Sequence, residues 1–223
     1  RIKVTDATVT LSSPPPILAP LAGTYEIDAT VTIGTNIAVK DCMVKLPKPR
    51  GTLHPELSIK TSKGDFEVTG SVKLENTSLL WVYRWGNNVN LPYHIVNGTV
   101  KNLVITKSLV KGDVIAASTL LNTAKVISAD GSCTVDIGGR TVFIGRTRGG
   151  IDKSSFYINN LHFTFGGSLI GFDIRTIDAQ VSDAAAILKF LPAKLYGKVE
   201  GDLRYSGGLY NGNLRLLNCG YDP

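Results

Sequence analysis

Long hydrophobic runs are missing from this chain of 223 residues: no apolar stretch approaches the roughly 18 residues that a membrane-spanning helix requires. No transmembrane segment is expected. Cysteine is scarce, with only Cys42, Cys133 and Cys219 at wide spacing, so there is no C-x-x-C pair and with it no zinc ribbon or thioredoxin-type motif. Histidine is equally sparse. His54, His94 and His162 lie far apart, and none has an H-x-H or H-E-x-x-H spacing that would hold a metal. A G-x-S-x-G elbow and a Gly-x-Gly-x-x-Gly phosphate loop are both absent, and Asp178 and Asp183 are spaced for a helix cap rather than for paired acid and base work. These gaps point to a non-enzymatic protein without metal or cofactor.

Charge of either sign is thin. Charged residues make up 19% of the chain, with 24 Lys+Arg against 18 Asp+Glu and a net charge of +6. That balance permits weak attraction to anionic surfaces. With no basic helix and no exposed aromatic pair of the kind that stacks bases, it gives no reading as a nucleic-acid binder. The one local excess of basic residues is Arg140, Arg146, Arg148 and Lys153, set in and just beyond the glycine-rich stretch from Ile137 to Gly150. It is a candidate anion patch on a solvated hairpin.

What the chain has in abundance is alternation. Tyr25, Ile27, Ala29, Val31 and Ile33 alternate with Thr24, Glu26, Asp28, Thr30 and Thr32; Phe66, Val68, Val72 and Leu74 are set off in the same way by Asp65, Glu67, Ser71 and Lys73. Successive side chains on a strand point to opposite faces, so each such segment has one apolar and one polar face. The fold class expected is all-β, mostly antiparallel, as a β-sandwich or rolled sheet. Further strands are expected at 37–46, 57–61, 79–85, 94–96, 100–106, 114–119, 125–128, 133–137, 141–144, 156–158, 161–165, 169–174, 198–205 and 209–217. Turns at Gly34-Thr35-Asn36, Ser62-Lys63-Gly64-Asp65, Ala129-Asp130-Gly131-Ser132 and Gly138-Gly139-Arg140 divide them.

Two segments depart from that pattern. Residues 1–22 read as a strand followed by the stiff Pro14-Pro15-Pro16 spacer, an arm that pairs with a sheet edge in its own molecule or in a neighbour, ahead of a single β-rich domain over 23–223. Near 182–191, Ser182 or Asp183 as N-cap, the run from Ala184 to Leu191 and the stop at Pro192 predict one short helix.

Trp81, Tyr83 and Trp85 share one face of a strand and form either core or a ligand wall. Asn76 and Asn97 begin N-x-Ser/Thr sequons and become glycosylation sites if the protein is secreted. In an oxidising compartment the three cysteines give one internal disulfide and one further thiol; the alternative is three small buried hydrophobes. The start at Arg1 without an initiator Met is what a processed mature region would show, and the sequons together with the wealth of Thr, Asn, Gly and Ser give the expected location, outside the cytosol, extracellular or periplasmic.

Two functions fit. One is a structural or assembly subunit of a filament, coat or surface layer that self-associates through its N-terminal arm. The other is a secreted or periplasmic carrier of an apolar ligand such as a lipid, held on the inner face of a rolled sheet. Segments such as Gly23–Ile27 and Gly197–Leu203 are similar to extracytoplasmic lipid-carrying proteins built on long curved sheets, in patterns generic to β proteins.

Overall fold

In the computed structural model the described residues are 1–12, 22–47, 51–78, 94–120, 125–151, 154–165, 172–181, 194–206 and 209–222. They form thirteen strands: β1 (Ile2–Leu11), β2 (Gly23–Ile33), β3 (Ile37–Lys45), β4 (Thr52–Ser62), β5 (Asp65–Ser78), β6 (His94–Ile105), β7 (Leu109–Leu120), β8 (Lys125–Asp136), β9 (Thr141–Ile151), β10 (Ser154–Phe165), β11 (Phe172–Val181), β12 (Lys194–Ser206) and β13 (Leu209–Asp222). All lie in one sheet in sequence order, each antiparallel to the next. This is the all-β antiparallel class that the alternation implies. The described strands supply no second sheet to pack against it.

Short connections explain that order. Gly34–Asn36, Lys63–Gly64, Thr106–Ser108 and Gly138–Arg140 reverse the chain in a few residues, so β3, β5, β7 and β9 each lie beside their predecessor. Lys63 and Gly64 take φ of 37° and 86°, and Arg140 takes 52°, the left-handed conformations that such turns demand.

Several expected breaks are not breaks. The expected turn at Ala129–Ser132 lies inside β8, which runs unbroken from Lys125 to Asp136. Gly131 is there because a Cβ would collide with the side chain of the buried Thr147 on β9. The separate strands expected at 94–96 and 100–106 are likewise one strand, β6, as are those at 156–158 and 161–165, which make β10. The hairpin expected around the Arg-rich stretch is the β8–β9 hairpin: Arg140 lies in its turn, and the strand expected at 141–144 runs on through Arg146 and Arg148 to Ile151 as β9. The expected helix at 182–191, the strand at 79–85 and the Pro14–Pro16 spacer lie outside the described residues.

Regularity is interrupted in a repeated way. Asp6, Asp41, Asn76, Asn102, Arg146 and Asn218 each adopt φ between 45° and 51° inside a strand, and each marks a place where its strand carries one residue more than a neighbouring strand. These are β-bulges, which bend a strand and increase its twist. Asp and Asn suit them because their short polar side chains tolerate the left-handed region. Two of the bulges are held by side chains from the next strand: the Asp6 N–H donates to Asp28 Oδ1 at 2.8 Å, and the Asn76 N–H to Asn97 Oδ1 at 2.9 Å.

The accessible surface is 14337 Å². A compact monomer of this mass exposes about 9,900 Å², so the chain is far from a closed globule. Among the described residues, the apolar side chains that are buried are Ala29, Cys42 and Val96. A single layer has no interior, and this one has almost none.

Candidate functional site

Residues directly opposite each other in a ladder share a face, so the register shows which side chains line each side of the sheet. From β1 to β10 one such row reads Ala7, Ile27, Val44, Leu53, Leu74, Gly98, Ala116, Ala129, Gly149 and Phe156. A second row, from β2 to β9, reads Ile33, Ile37, Ile59, Val68, Ile105, Val110, Val135 and Val142. Neither contains a polar side chain. The one-strand alternation seen in sequence therefore adds up to a continuous apolar face across most of the sheet.

The opposite face is mixed and wet. Its row from β4 to β10 reads His54, Lys73, Thr99, Ile115, Asp130, Arg148 and Tyr157. Surface ion pairs lie on it, Lys45 to Glu26 at 2.8 Å and Lys107 to Asp65 at 2.9 Å, and His54 Nε2 and Glu75 Oε2 share a hydrogen bond of 3.0 Å. Exposed pairs of this kind, screened by solvent, add little to stability.

Within the apolar face the four residues Gly98, Ala116, Ala129 and Gly149 form a shallow furrow across four neighbouring strands. The ring of Phe156 lies against Gly149, where a Cβ would overlap it, and closes one end. Large apolar residues outside the furrow stay in contact with solvent: Ile2 is 51% exposed, Ile33 62% and Phe66 40%. Nothing among the described residues covers this face.

A separate cavity of about 350 Å³ opens where the β3–β4 ladder is interrupted between Val39 and Val44, lined in part by Asp41, Cys42, Met43, His54, Pro55 and Glu56. The extra residue at the Asp41 bulge and the missing N–H of Pro55 account for the gap. Burial and the nearby Asp28 carboxylate push the Cys42 thiol above its ordinary range, and burial does the same to Cys133. Both stay protonated and unreactive at neutral pH.

The remaining sequence candidates fall as follows. Arg140 sits in the β8–β9 turn while Arg146 and Arg148 lie on β9; Arg140 and Arg148, eight residues apart along an extended chain, are separated by roughly 26 Å. Arg148 stands opposite Asp130 and Tyr157. Lys153 and the wall Trp81, Tyr83 and Trp85 lie outside the described residues. Asn76 and Asn97 face each other across β5 and β6, with Asn97 Nδ2 donating to Asn76 Oδ1 at 3.5 Å. Cys42, Cys133 and Cys219 lie on β3, β8 and β13 and are not bridged. The expected internal disulfide is corrected by this spacing: adjacent members are five strands apart, roughly 24 Å, against the 4.4–6.8 Å between Cα atoms that a disulfide spans.

Sequence reading missed the bulge residues and their clamps, Asp28 and Asn97. Their signal is a slip in the alternation at an Asp or Asn, as in Thr5-Asp6-Ala7 and Glu75-Asn76-Thr77.

No protein-family model, curated protein or solved structure matches the chain. Function is therefore read from the sheet itself.

Proposed function

We propose that this chain binds and carries elongated apolar molecules of the lipid class on the apolar face of its sheet, outside the cytoplasm. One observation carries the reading: two rows of apolar side chains, eight and ten strands long, lie on a face that no other described layer covers. Thirteen strands at about 4.8 Å spacing extend roughly 58 Å, and strands of 9 to 14 residues give a width of roughly 30 to 45 Å. Monomeric soluble proteins rarely expose contiguous apolar patches above a few hundred Å². At about 25 cal/mol per Å², a face this size is strongly driven to acquire a cover, and acyl chains lying across it supply one without specific polar contacts. The bulges bend the strands around such a guest. The wet face, with its ion pairs, keeps the loaded chain in solution.

Native mass spectrometry of the purified chain tests this, followed by titration with a fluorescent fatty acid. Retained lipid mass or saturable uptake is the expected result. A folded chain that retains nothing and takes up nothing contradicts it.

An assembly role is the second reading. β1 pairs with β2 of its own chain from Ile2↔Val31 to Leu11↔Gly23, so self-association would run through the outer edges of the sheet.

A further inference from the structure

Among the described pairings β1 and β13 are each hydrogen-bonded on one side only. Their outer edges present rows of N–H and C=O groups that can template another strand, and such edges are normally blunted by bulges, prolines or charges. β1 is blunted. Its bulge at Asp6 breaks the register between Val4 and Ala7, leaving no regular run beyond the five residues Ala7 to Leu11, and Arg1 and Lys3 flank its start.

β13 is not. Leu209 to Leu217 keep one unbroken register with β12 for nine residues, and the bulge comes only afterwards, at Asn218. That run contains no proline and a single charged residue, Arg215. Leu214 and Leu216 are 55% and 64% exposed. They are apolar side chains at an edge that has no neighbour among the described strands.

From these features we infer that two copies of the chain join through β13, edge to edge, about a two-fold axis normal to the sheet. The topology selects this symmetry. Strand direction alternates through thirteen strands, so β1 and β13 run parallel, and a head-to-tail join of β13 to β1 by translation makes the weaker parallel pair and never closes. A two-fold axis instead sets β13 antiparallel to itself and keeps Leu214 and Leu216 on the same side of the joined sheet as their counterparts.

Register follows from the run itself, whose midpoint is Asn213, so that an axis there pairs all nine residues from Leu209 to Leu217. An axis at Asn213 puts Leu214 opposite Gly212 of the second copy, Arg215 opposite Asn211 and Leu217 opposite Leu209. An axis at Arg215 would set the two guanidinium groups against each other, which is unfavourable. The join at Asn213 extends the apolar face without a break across both copies. It does not depend on what that face carries.

Cys219, exposed on β13, reports the geometry directly. With Cys42 and Cys133 replaced by Ala and a nitroxide on Cys219, pairing about Asn213 places the two labels twelve residues apart along the strand direction, about 41 Å, within reach of pulsed electron resonance. The expected result is a dimer by light scattering with that separation. A monomer, an open-ended ladder of oligomers, or a dimer whose labels are close together or out of range overturns the inference.

Proline at Asn213 or at Leu214 gives a second check, because neighbouring amides of an edge strand point in opposite directions and the outward one tolerates proline. Whichever of N213P and L214P keeps the parent's circular dichroism should be monomeric. A well-folded proline variant that still dimerises equally overturns the inference.

Discussion

The backbone N–H of Asn76 donates to Oδ1 of Asn97 across β5 and β6 at 2.9 Å, at a residue whose φ is 47°. The bulge takes this N–H out of the ladder, and Asn97 replaces the partner it lost. Asn97→Ala should therefore destabilise the chain by about 1 kcal/mol, while Asn97→Asp, which keeps the acceptor, should cost less. Urea denaturation of the two variants gives the difference. Equal losses would mean that the hydrogen bond does not hold the bulge.

A larger effect is expected at Gly70. Its φ is 146°, and a Cβ there would run into the backbone carbonyl of Glu56 on β4. Gly70→Ala should cost about 2 to 3 kcal/mol through the strained φ and this clash together. Thermal unfolding checks this, and an unchanged melting temperature would contradict the close β4–β5 approach.

The thiols give a prediction in pH. Burial raises the Cys42 and Cys133 thiols above their ordinary value of 9.0, so the folded state favours their protonated form. Unfolded chain loses these protons first as pH rises. The stability they contribute is therefore full below about pH 9 and is lost as pH climbs through the raised values. Alkylation at neutral pH, read by mass spectrometry, should modify Cys219 well before Cys42 or Cys133. Rapid modification of Cys42 would contradict its burial.

Much of this fold was legible because one-sided alternation is a local signal. The rows through Ile27, Leu53 and Leu74, or through Ile37, Ile59 and Val68, are the apolar positions of individual strands laid side by side. That those strands form one sheet was not legible, because alternation is the same in a sandwich and in a single layer. Glycine misled where it served packing: at Gly131 it makes room for Thr147, and the chain continues straight through an apparent turn. The three cysteines could not be placed because their separation depends on strand order, a non-local property. The candidate site belongs to no motif. It is a face, assembled from residues that are each unremarkable alone.

Val114 and Ile115 are adjacent on β7 and point to opposite sides, Val114 toward the apolar face beside Val100 and Ile115 toward the wet face beside Asp130. Uptake of a fluorescent fatty acid by Val114→Glu and Ile115→Glu, with circular dichroism as a control for folding, tests the central claim most directly. A bare, working apolar face predicts that both variants fold, that Val114→Glu weakens uptake roughly tenfold or more, and that Ile115→Glu binds like the parent. Equal uptake by the two variants, or unfolding of Val114→Glu as if a buried core had been broken, would contradict it.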